Sequence, residues 1–108
     1  MTGFIKVISK RVILKKNFHK CKNLLNSLYS EAYNQNGFLG AYTYIERSTV
    51  PNCEHDTIWT ISKWTSQQEW SKWKDCSKRI ENTDKSNAFV KKESHKILNK
   101  LKQDVFLL

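Results

Sequence analysis

Apolar and polar positions alternate in several stretches of the chain, and this pattern predicts β-strands. Ile and Val recur through Phe4–Leu14, and aromatic or branched side chains alternate with polar ones in Ile58–Trp64. A period of two puts successive side chains on opposite faces of a sheet, so each stretch predicts a half-buried strand. Phe38–Ile45 has the same character, and Gly40 inside it indicates a β-bulge or a close backbone approach.

A different period predicts a helix after the first strand. From Phe18 to Ala32, apolar residues recur at spacings of three and four. This spacing is typical of an amphipathic helix, with Asn17 as its N-cap and Asn36-Gly37 as the turn that follows it.

A second helix is predicted directly after the third strand. Ser66 is followed three residues later by Glu69, which is the capping-box arrangement of a helix start. Trp70 and Trp73 are three residues apart and therefore lie on one face of this helix. We expect this face to point towards the sheet.

The remaining elements complete an α+β ferredoxin-like pattern. Residues 77–89 predict a short helix plus a loop, and residues 93–101 predict a closing strand. The order β-α-β-β-α-(α)-β is the split β-α-β arrangement, an antiparallel sheet with its helices on one face. Because the other face is apolar, we expect a homodimer, a dimeric α/β barrel. We expect one domain over residues 1–108, with a core in 1–102 and an apolar tail, 103–108, at the dimer interface.

The charge of the chain does not by itself identify a partner. The net charge is +9, from 19 Lys and Arg against 10 Asp and Glu. The basic residues are spread along the sequence and form no recognisable nucleic-acid-binding motif. The pattern therefore favours a solvated basic surface over a nucleic-acid partner.

The sequence predicts a cytoplasmic protein without a metal site. No apolar run approaches the ~20 residues that span a membrane, and the N-terminus lacks the pattern of a signal peptide. Cys21, Cys53 and Cys76 have no metal-binding spacing, apart from the weak Cys53-x-His55 pair. We expect three reduced thiols.

Three segments resemble the antibiotic biosynthesis monooxygenase family of dimeric ferredoxin-like α/β-barrel proteins. Gly37–Gly40 looks like the "PGFLG" start of that family's second strand, with Asn36 where proline is usual. Ser62–Trp70 is similar to the family's "xxxWxSxxxW" segment, and Trp73–Arg79 resembles the stretch that follows it. The resemblance covers roughly residues 4–79.

This resemblance implies a cofactor-independent monooxygenase that binds a small apolar or aromatic substrate between its helices and its sheet. The alternative is a non-catalytic, dimeric ligand-binding or stress-related protein of the same fold. Haem degradation is disfavoured: Trp73 matches that branch's tryptophan, but Lys10 and Thr83 stand near its asparagine and histidine positions. A basic nucleic-acid binder is a further, weaker alternative.

Seven side chains are candidates for the site. The substrate-binding candidates are Trp73, Trp70, Trp64 and Tyr42, and the catalytic candidates are His95, Tyr44 and Arg79. Histidine exchanges protons near neutral pH, and a guanidinium holds anionic oxygens. For each there is a plainer expectation: core packing for the tryptophans, interface packing for the tyrosines, and solvent exposure for His95 and Arg79.

Overall fold

The computed structural model describes residues 4–77, 79–81 and 90–99 and contains four strands and two main helices. They are β1 (Ile5–Leu14), α1 (Phe18–Ala32), β2 (Phe38–Glu46), β3 (His55–Trp64), α2 (Gln67–Lys74) and β4 (Val90–Asn99). A 3-10 turn, Lys15–Asn17, joins β1 to α1, and Ser77 and residues 79–81 are also helical.

The four strands form one antiparallel sheet in the order β2-β3-β1-β4. Helix α1 connects β1 to β2, and β3 lies between these two strands, which is the split β-α-β topology. The predicted α+β ferredoxin-like fold is therefore confirmed. Among the described residues, no helix is long and apolar enough to cross a membrane.

The core lies between the helices and one face of the sheet. Alternation places every second residue of β1 on this face, and all five of these inward side chains are buried: Ile5, Val7, Ser9, Arg11 and Ile13. The three apolar ones, Ile5, Val7 and Ile13, meet the leucines of α1 and the tryptophans of α2 in a single cluster. Two of the five are polar, and they mark the position of the site described below.

The predicted bulge in β2 is confirmed at Leu39. Phe38 pairs with Trp64 and Gly40 pairs with Lys63, so Leu39 has no partner of its own in β3. Gly40 has a φ of 132°, a backbone conformation that favours glycine. The extra residue shifts the alternation, so that Phe38 and Ala41 both face the helices.

The cap predicted for the second helix is confirmed. The Ser66 side chain accepts a hydrogen bond from the backbone N–H of Glu69 at 3.2 Å. Asn17 also lies at a helix start, but its side chain makes no capping hydrogen bond; the 3-10 turn before α1 carries the chain into the helix instead.

The other face of the sheet carries no helix of the described chain; we call it the open face. Its apolar and aromatic side chains include Ile8, Val12, Leu14, Tyr42, Tyr44, Trp59, Ile61 and Leu98. Among the described residues, five lysines share this face: Lys6, Lys10, Lys63, Lys92 and Lys96. The open face is therefore both apolar and basic.

Two strands extend beyond their predicted starts. β3 begins at His55, three residues before the predicted Ile58, and β4 begins at Val90 rather than Glu93. The predicted helix after α2 is seen at residues 79–81. The loop predicted near residue 89 and the tail 103–108 lie outside the described residues.

Candidate functional site

A cavity lies between the sheet and the two helices; we call it the central cavity. Its walls come from α1, α2, all four strands and Arg79: Ser9, Arg11, Leu25, Leu28, Tyr29, Ala32, Phe38, Ala41, Thr60, Ser62, Trp64, Trp70, Trp73, Arg79 and His95. The centre of a water molecule can occupy about 50 Å³ of it. One water needs ~10–15 Å³ on this measure, so several waters or a small polar group fit inside.

Aromatic rings form one wall of the central cavity. The rings of Trp64 and Trp73 stack with centroids 6.4 Å apart and planes 26° apart. Phe38 meets Trp64 edge to face at 5.1 Å. The Trp64 indole N–H donates to the Ser62 hydroxyl at 3.1 Å, so this buried polar group is satisfied. Such a wall suits a planar apolar ligand.

A polar cluster, contributed by β1, β4 and Arg79, also lines the central cavity, where the His95 and Trp70 rings meet edge to face with centroids 6.1 Å apart. His95 Nδ1 lies 2.7 Å from the Ser9 hydroxyl, and His95 Nε2 lies 3.1 Å from a terminal nitrogen of Arg79. A guanidinium can only donate, so Nε2 accepts this hydrogen bond. The proton of the neutral imidazole is thereby assigned to Nδ1, which donates to Ser9.

Glu93 connects the two arginines and the histidine. Its Oε1 lies 2.8 Å from Arg11 Nε. Its Oε2 lies 3.6 Å from His95 Nε2 and 3.9 Å from Arg79. The Arg11 side chain is only 5% exposed. Although the distance is short, the Arg11 Nε–H forms no well-directed hydrogen bond, so this contact is chiefly an attraction between charges.

The charges around Glu93 keep it ionised. Burial by itself raises the pKa of this carboxyl. The protonated form of His95, which donates a hydrogen bond to this carboxylate and adds its charge to those of Arg11 and Arg79, outweighs burial, and the pKa falls to about 2. Glu93 is therefore an anion throughout the physiological pH range.

A hydroxyl cluster lies beside the aromatic wall. The Tyr29 hydroxyl contacts the Thr43 hydroxyl and lies 3.5 Å from that of Thr60. Burial raises the pKa of Tyr29, although its hydrogen bond with Thr60 opposes this. Tyr29 is therefore a neutral phenol in hydrogen-bond contact with the two threonines.

Five of the seven predicted site residues meet in the central cavity. Trp64, Trp70 and Trp73 are buried in its walls, which agrees with the plainer expectation of core packing, and their contact with a substrate stays a prediction. The plainer expectation of solvent exposure was wrong for His95 and Arg79, whose side chains are 17% and 11% exposed. Alternation explains this for His95, which lies on the same inward face of β4 as Glu93.

Tyr42 and Tyr44 do not belong to this site. They lie on the open face, 73% and 56% exposed, with the sheet between them and the tryptophans. The prediction of Tyr42 as a substrate contact and of Tyr44 as a catalytic candidate in the same cleft is therefore corrected. Alternation along β2 places Tyr42 and Tyr44 on the face opposite to that of Ala41 and Thr43.

Four site residues were not singled out from the sequence: Ser9, Arg11, Tyr29 and Glu93. A signal did exist for the first two, because the period of β1 places Ser9 and Arg11 on the face of Val7 and Ile13. A polar residue at an inward position calls for a buried partner. The identity of that partner can be read only from the β1–β4 register, which pairs Ser9 with His95 and Arg11 with Glu93.

The described residues contain no group of three or more His, Cys, Asp or Glu side chains placed to hold a metal ion. The three cysteines are free and separate, Cys21 buried and Cys53 and Cys76 half-buried.

Sequence comparison alone does not relate the chain to known proteins. No protein-family model matches it, and no curated protein does.

Structure comparison does find similar proteins. A conserved protein from Methanosarcina mazei Go1 superposes with a TM-score of 0.74 at 18% identity, over 93% of this chain and 95% of that one. SnoaB, a cofactor-independent oxygenase from Streptomyces nogalater, gives 0.71 at 10% identity, over 93% and 96%. A candidate antibiotic biosynthesis monooxygenase from Nitrosomonas europaea gives 0.70 at 9% identity, over 95% of each chain.

At sequence identities of 9–18%, the structural similarity to these proteins establishes the fold of the chain. The chain has the ferredoxin-like fold of the antibiotic biosynthesis monooxygenase proteins, and the resemblance seen in its sequence is confirmed at that level. Fold does not fix chemistry, so the function has to be argued from the central cavity.

Proposed function

We propose that this protein is a cofactor-independent monooxygenase acting on a small aromatic substrate in the central cavity. One observation carries the proposal: a tryptophan-walled cavity contains a histidine placed between a serine and two charged side chains, Arg79 and Glu93. The fold shared with SnoaB supports it. In this proposal Trp64, Trp70 and Trp73 hold the ring, and His95 acts as the base.

His95 is suited to remove a proton from an activated carbon or phenol. As a neutral ring it uses Nε2 to accept from Arg79 at 3.1 Å. Once protonated, Nε2 becomes a donor, and the Glu93 carboxylate 3.6 Å away becomes its favourable partner. Arg79 is then released from His95 and can donate to the oxygen anion of the deprotonated substrate.

The substrate itself supplies the electrons for the reaction. In the proposed reaction the carbanion adds O₂ to give a peroxide, and loss of water leaves a carbonyl, so CH₂ + O₂ becomes C=O + H₂O. The chain's own contribution is to position the ring, take the proton and stabilise the anion. No bound metal or flavin is required for this sequence of steps.

Oxygen consumption tests the proposal. Purified protein is supplied with anthrone, an aromatic compound with one activated CH₂, and O₂ uptake is followed with an electrode. We expect His95→Gln to lower the rate by 10²-fold or more, because general base catalysis contributes ~10²–10⁴. His19→Gln, at an exposed histidine of α1, is the matched control and should retain the wild-type rate. An equal loss in both variants, or no uptake by the wild type, contradicts the proposal.

A second candidate is a binding protein without turnover. The contact that favours it is the one between Arg79 and His95, which occupies the nitrogen that a base would use. Quenching of tryptophan fluorescence by anthrone without O₂ uptake would select this function. Because Trp73→Phe alters the wall that contacts the ligand, this variant should weaken that quenching.

We also propose a homodimer formed through the open face. Tyr42, Trp59 and Ile61 present apolar surface that a second copy would cover, and burial is favourable by ~25 cal/mol per Å². Like charge opposes the pairing, since each copy brings five lysines to this face. Measuring dimerisation as a function of salt concentration tests this proposal.

We propose a cytoplasmic location, because three free cysteines are typical of a reducing compartment. Cell fractionation checks this, and recovery of the protein with all its cysteines oxidised would contradict it.

A further inference from the structure

The central cavity holds more positive than negative charge. Arg11 and Arg79 each contribute a guanidinium, and Glu93 lies between them. Among the described residues, Glu93 is the only acid within 4 Å of either arginine. Asp75 also favours the charged form of Arg79, but it is exposed to solvent. With His95 neutral, the described part of the cluster has one excess positive charge.

This excess charge is largely shielded from water. The side chains of Arg11 and Arg79 are 5% and 11% exposed. Burying a charge without a full set of partners is unfavourable. Arg11 Nε is buried and forms no well-directed hydrogen bond within the described part of the chain. The cluster can therefore accept a further anionic oxygen, and the excess positive charge favours one.

We propose that the ligand of the central cavity is an aromatic molecule with a fixed anionic oxygen group, such as a carboxylate. Its oxygens accept hydrogen bonds from Arg79 and Arg11, while its ring packs against Trp64 and Trp73. This inference rests on the proposed function for the location of the ligand, and it adds the charge that the ligand carries.

The size of the cavity agrees with this orientation. The cavity is partly open to solvent, and the centres of water molecules can occupy about 50 Å³ of it. A carboxylate therefore fits inside in place of several waters, and the rest of a larger aromatic molecule extends towards the opening. In the proposed orientation the anionic group lies beside Arg11 and Arg79, which both line the cavity.

Calorimetric titration with benzoate and benzamide tests the inference. The two compounds have nearly the same shape, and only benzoate is charged. Hydrogen bonds to a charged group are about twice as strong as neutral ones, so we expect benzoate to bind at least ~10-fold more tightly. Equal binding of the two compounds, or binding of neither, overturns the inference.

Three variants locate the effect within the cavity. Arg79→Gln should weaken benzoate binding at least ~10-fold and change benzamide binding little. Arg47→Gln removes the same charge from an exposed loop residue and should leave benzoate binding unchanged. Glu93→Gln removes the competing carboxylate and should strengthen benzoate binding several-fold. Equal weakening by Arg79→Gln and Arg47→Gln overturns the inference.

Two further readouts keep the result clear. Circular dichroism shows whether each variant is folded. If Arg79→Gln does not fold, Arg79→Lys takes its place; because it retains the charge, it should keep part of the wild-type affinity for benzoate. The oxygenase proposal fails separately: preference for benzoate without O₂ uptake from anthrone contradicts catalysis but supports the anionic ligand. O₂ uptake without that preference supports catalysis and overturns this inference.

Discussion

Single residues show how the fold tolerates buried charge. Arg11 lies on the same strand face as Val7 and Ile13, where apolar side chains are the rule. It is tolerated there because Glu93 lies opposite it in the sheet and pairs with it. Removing one partner of a buried ion pair leaves the other uncompensated, so each depends on the other.

The low pKa of Glu93 predicts a loss of stability in acid. Its folded pKa of about 2 lies below the ordinary 4.5, so the folded state favours the charged form. The stabilisation of the folded state by ionised Glu93 is fully present above pH 4.5 and is lost as the pH falls towards 2. It is on the order of 3 kcal/mol, since one pKa unit is worth about 1.4 kcal/mol.

Urea unfolding measured across this pH range checks the prediction. Glu93→Gln should flatten the pH dependence between pH 4.5 and pH 2. Glu54→Gln, in the loop before β3, is the control and should retain it, because Glu54 is exposed. A wild-type slope that survives in Glu93→Gln would contradict the low pKa.

Trp73 has a structural role as well as a proposed functional one. It is buried and stacks on Trp64. Trp73→Ala should reduce the free energy of unfolding by ~3–5 kcal/mol because it opens a cavity in the core. Trp73→Phe keeps an aromatic ring there and should cost clearly less. Chemical denaturation measures both, and equal costs would show that the ring does not support the core.

At the scale of elements, the α1–β2 turn fixes the start of α2 against the sheet. The Gly37 carbonyl accepts a hydrogen bond from the Thr65 backbone N–H at 2.8 Å. Gly37 has a φ of 90°, and a Cβ there would lie 2.6 Å from Thr65 Oγ1 and 2.7 Å from Glu69 Cβ. The turn therefore requires glycine for two reasons, backbone conformation and close packing.

Gly37→Ala and Gly40→Ala form a matched pair that separates these reasons. Both glycines have positive φ, but a Cβ at Gly40 meets no atom within 4 Å. Gly40→Ala should cost only the backbone strain, ~1–3 kcal/mol, and Gly37→Ala should cost at least ~1 kcal/mol more. Thermal unfolding measures the difference, and equal costs would contradict the close packing of α2 on this turn.

At the scale of the whole molecule, the proposed homodimer depends on the open face. It combines Trp59 and Ile61 with five lysines, and Lys10 lies over the Trp59 ring at 5.5 Å. Two copies that meet through this face bury apolar surface and bring like charges together. Salt screens the charges but not the apolar contact.

We expect the dimer to strengthen as salt is added. Analytical ultracentrifugation should show twice the 12.8 kDa of one chain, with a dissociation constant that falls between low and high salt. Ile61→Glu, on the open face, should give single chains. Val50→Glu, in the exposed loop after β2, is the control and should remain dimeric. A monomeric wild type at every salt concentration would contradict the homodimer.

The same measurement separates the homodimer from a nucleic-acid complex. Binding of a single strand to the lysines releases counterions, so its affinity falls steeply with salt. The two partners thus have opposite salt dependence on the same surface.

The sequence by itself determined the elements and their order. Alternation in β1 and β3, the Ser66 cap and the glycine at the bulge each act over a few residues. Side-chain period and local hydrogen bonds therefore specify them without the rest of the molecule. The tryptophans of α2 could be assigned to the core for the same reason.

Only the tertiary structure decided the composition of the central cavity. Ser9 and His95 are 86 residues apart in the chain, and their contact depends on the β1–β4 register. A shift of one residue in that register would turn His95 and Glu93 to the open face. The burial of Arg79 and His95 follows from this pairing and from packing against α2, which no local pattern contains.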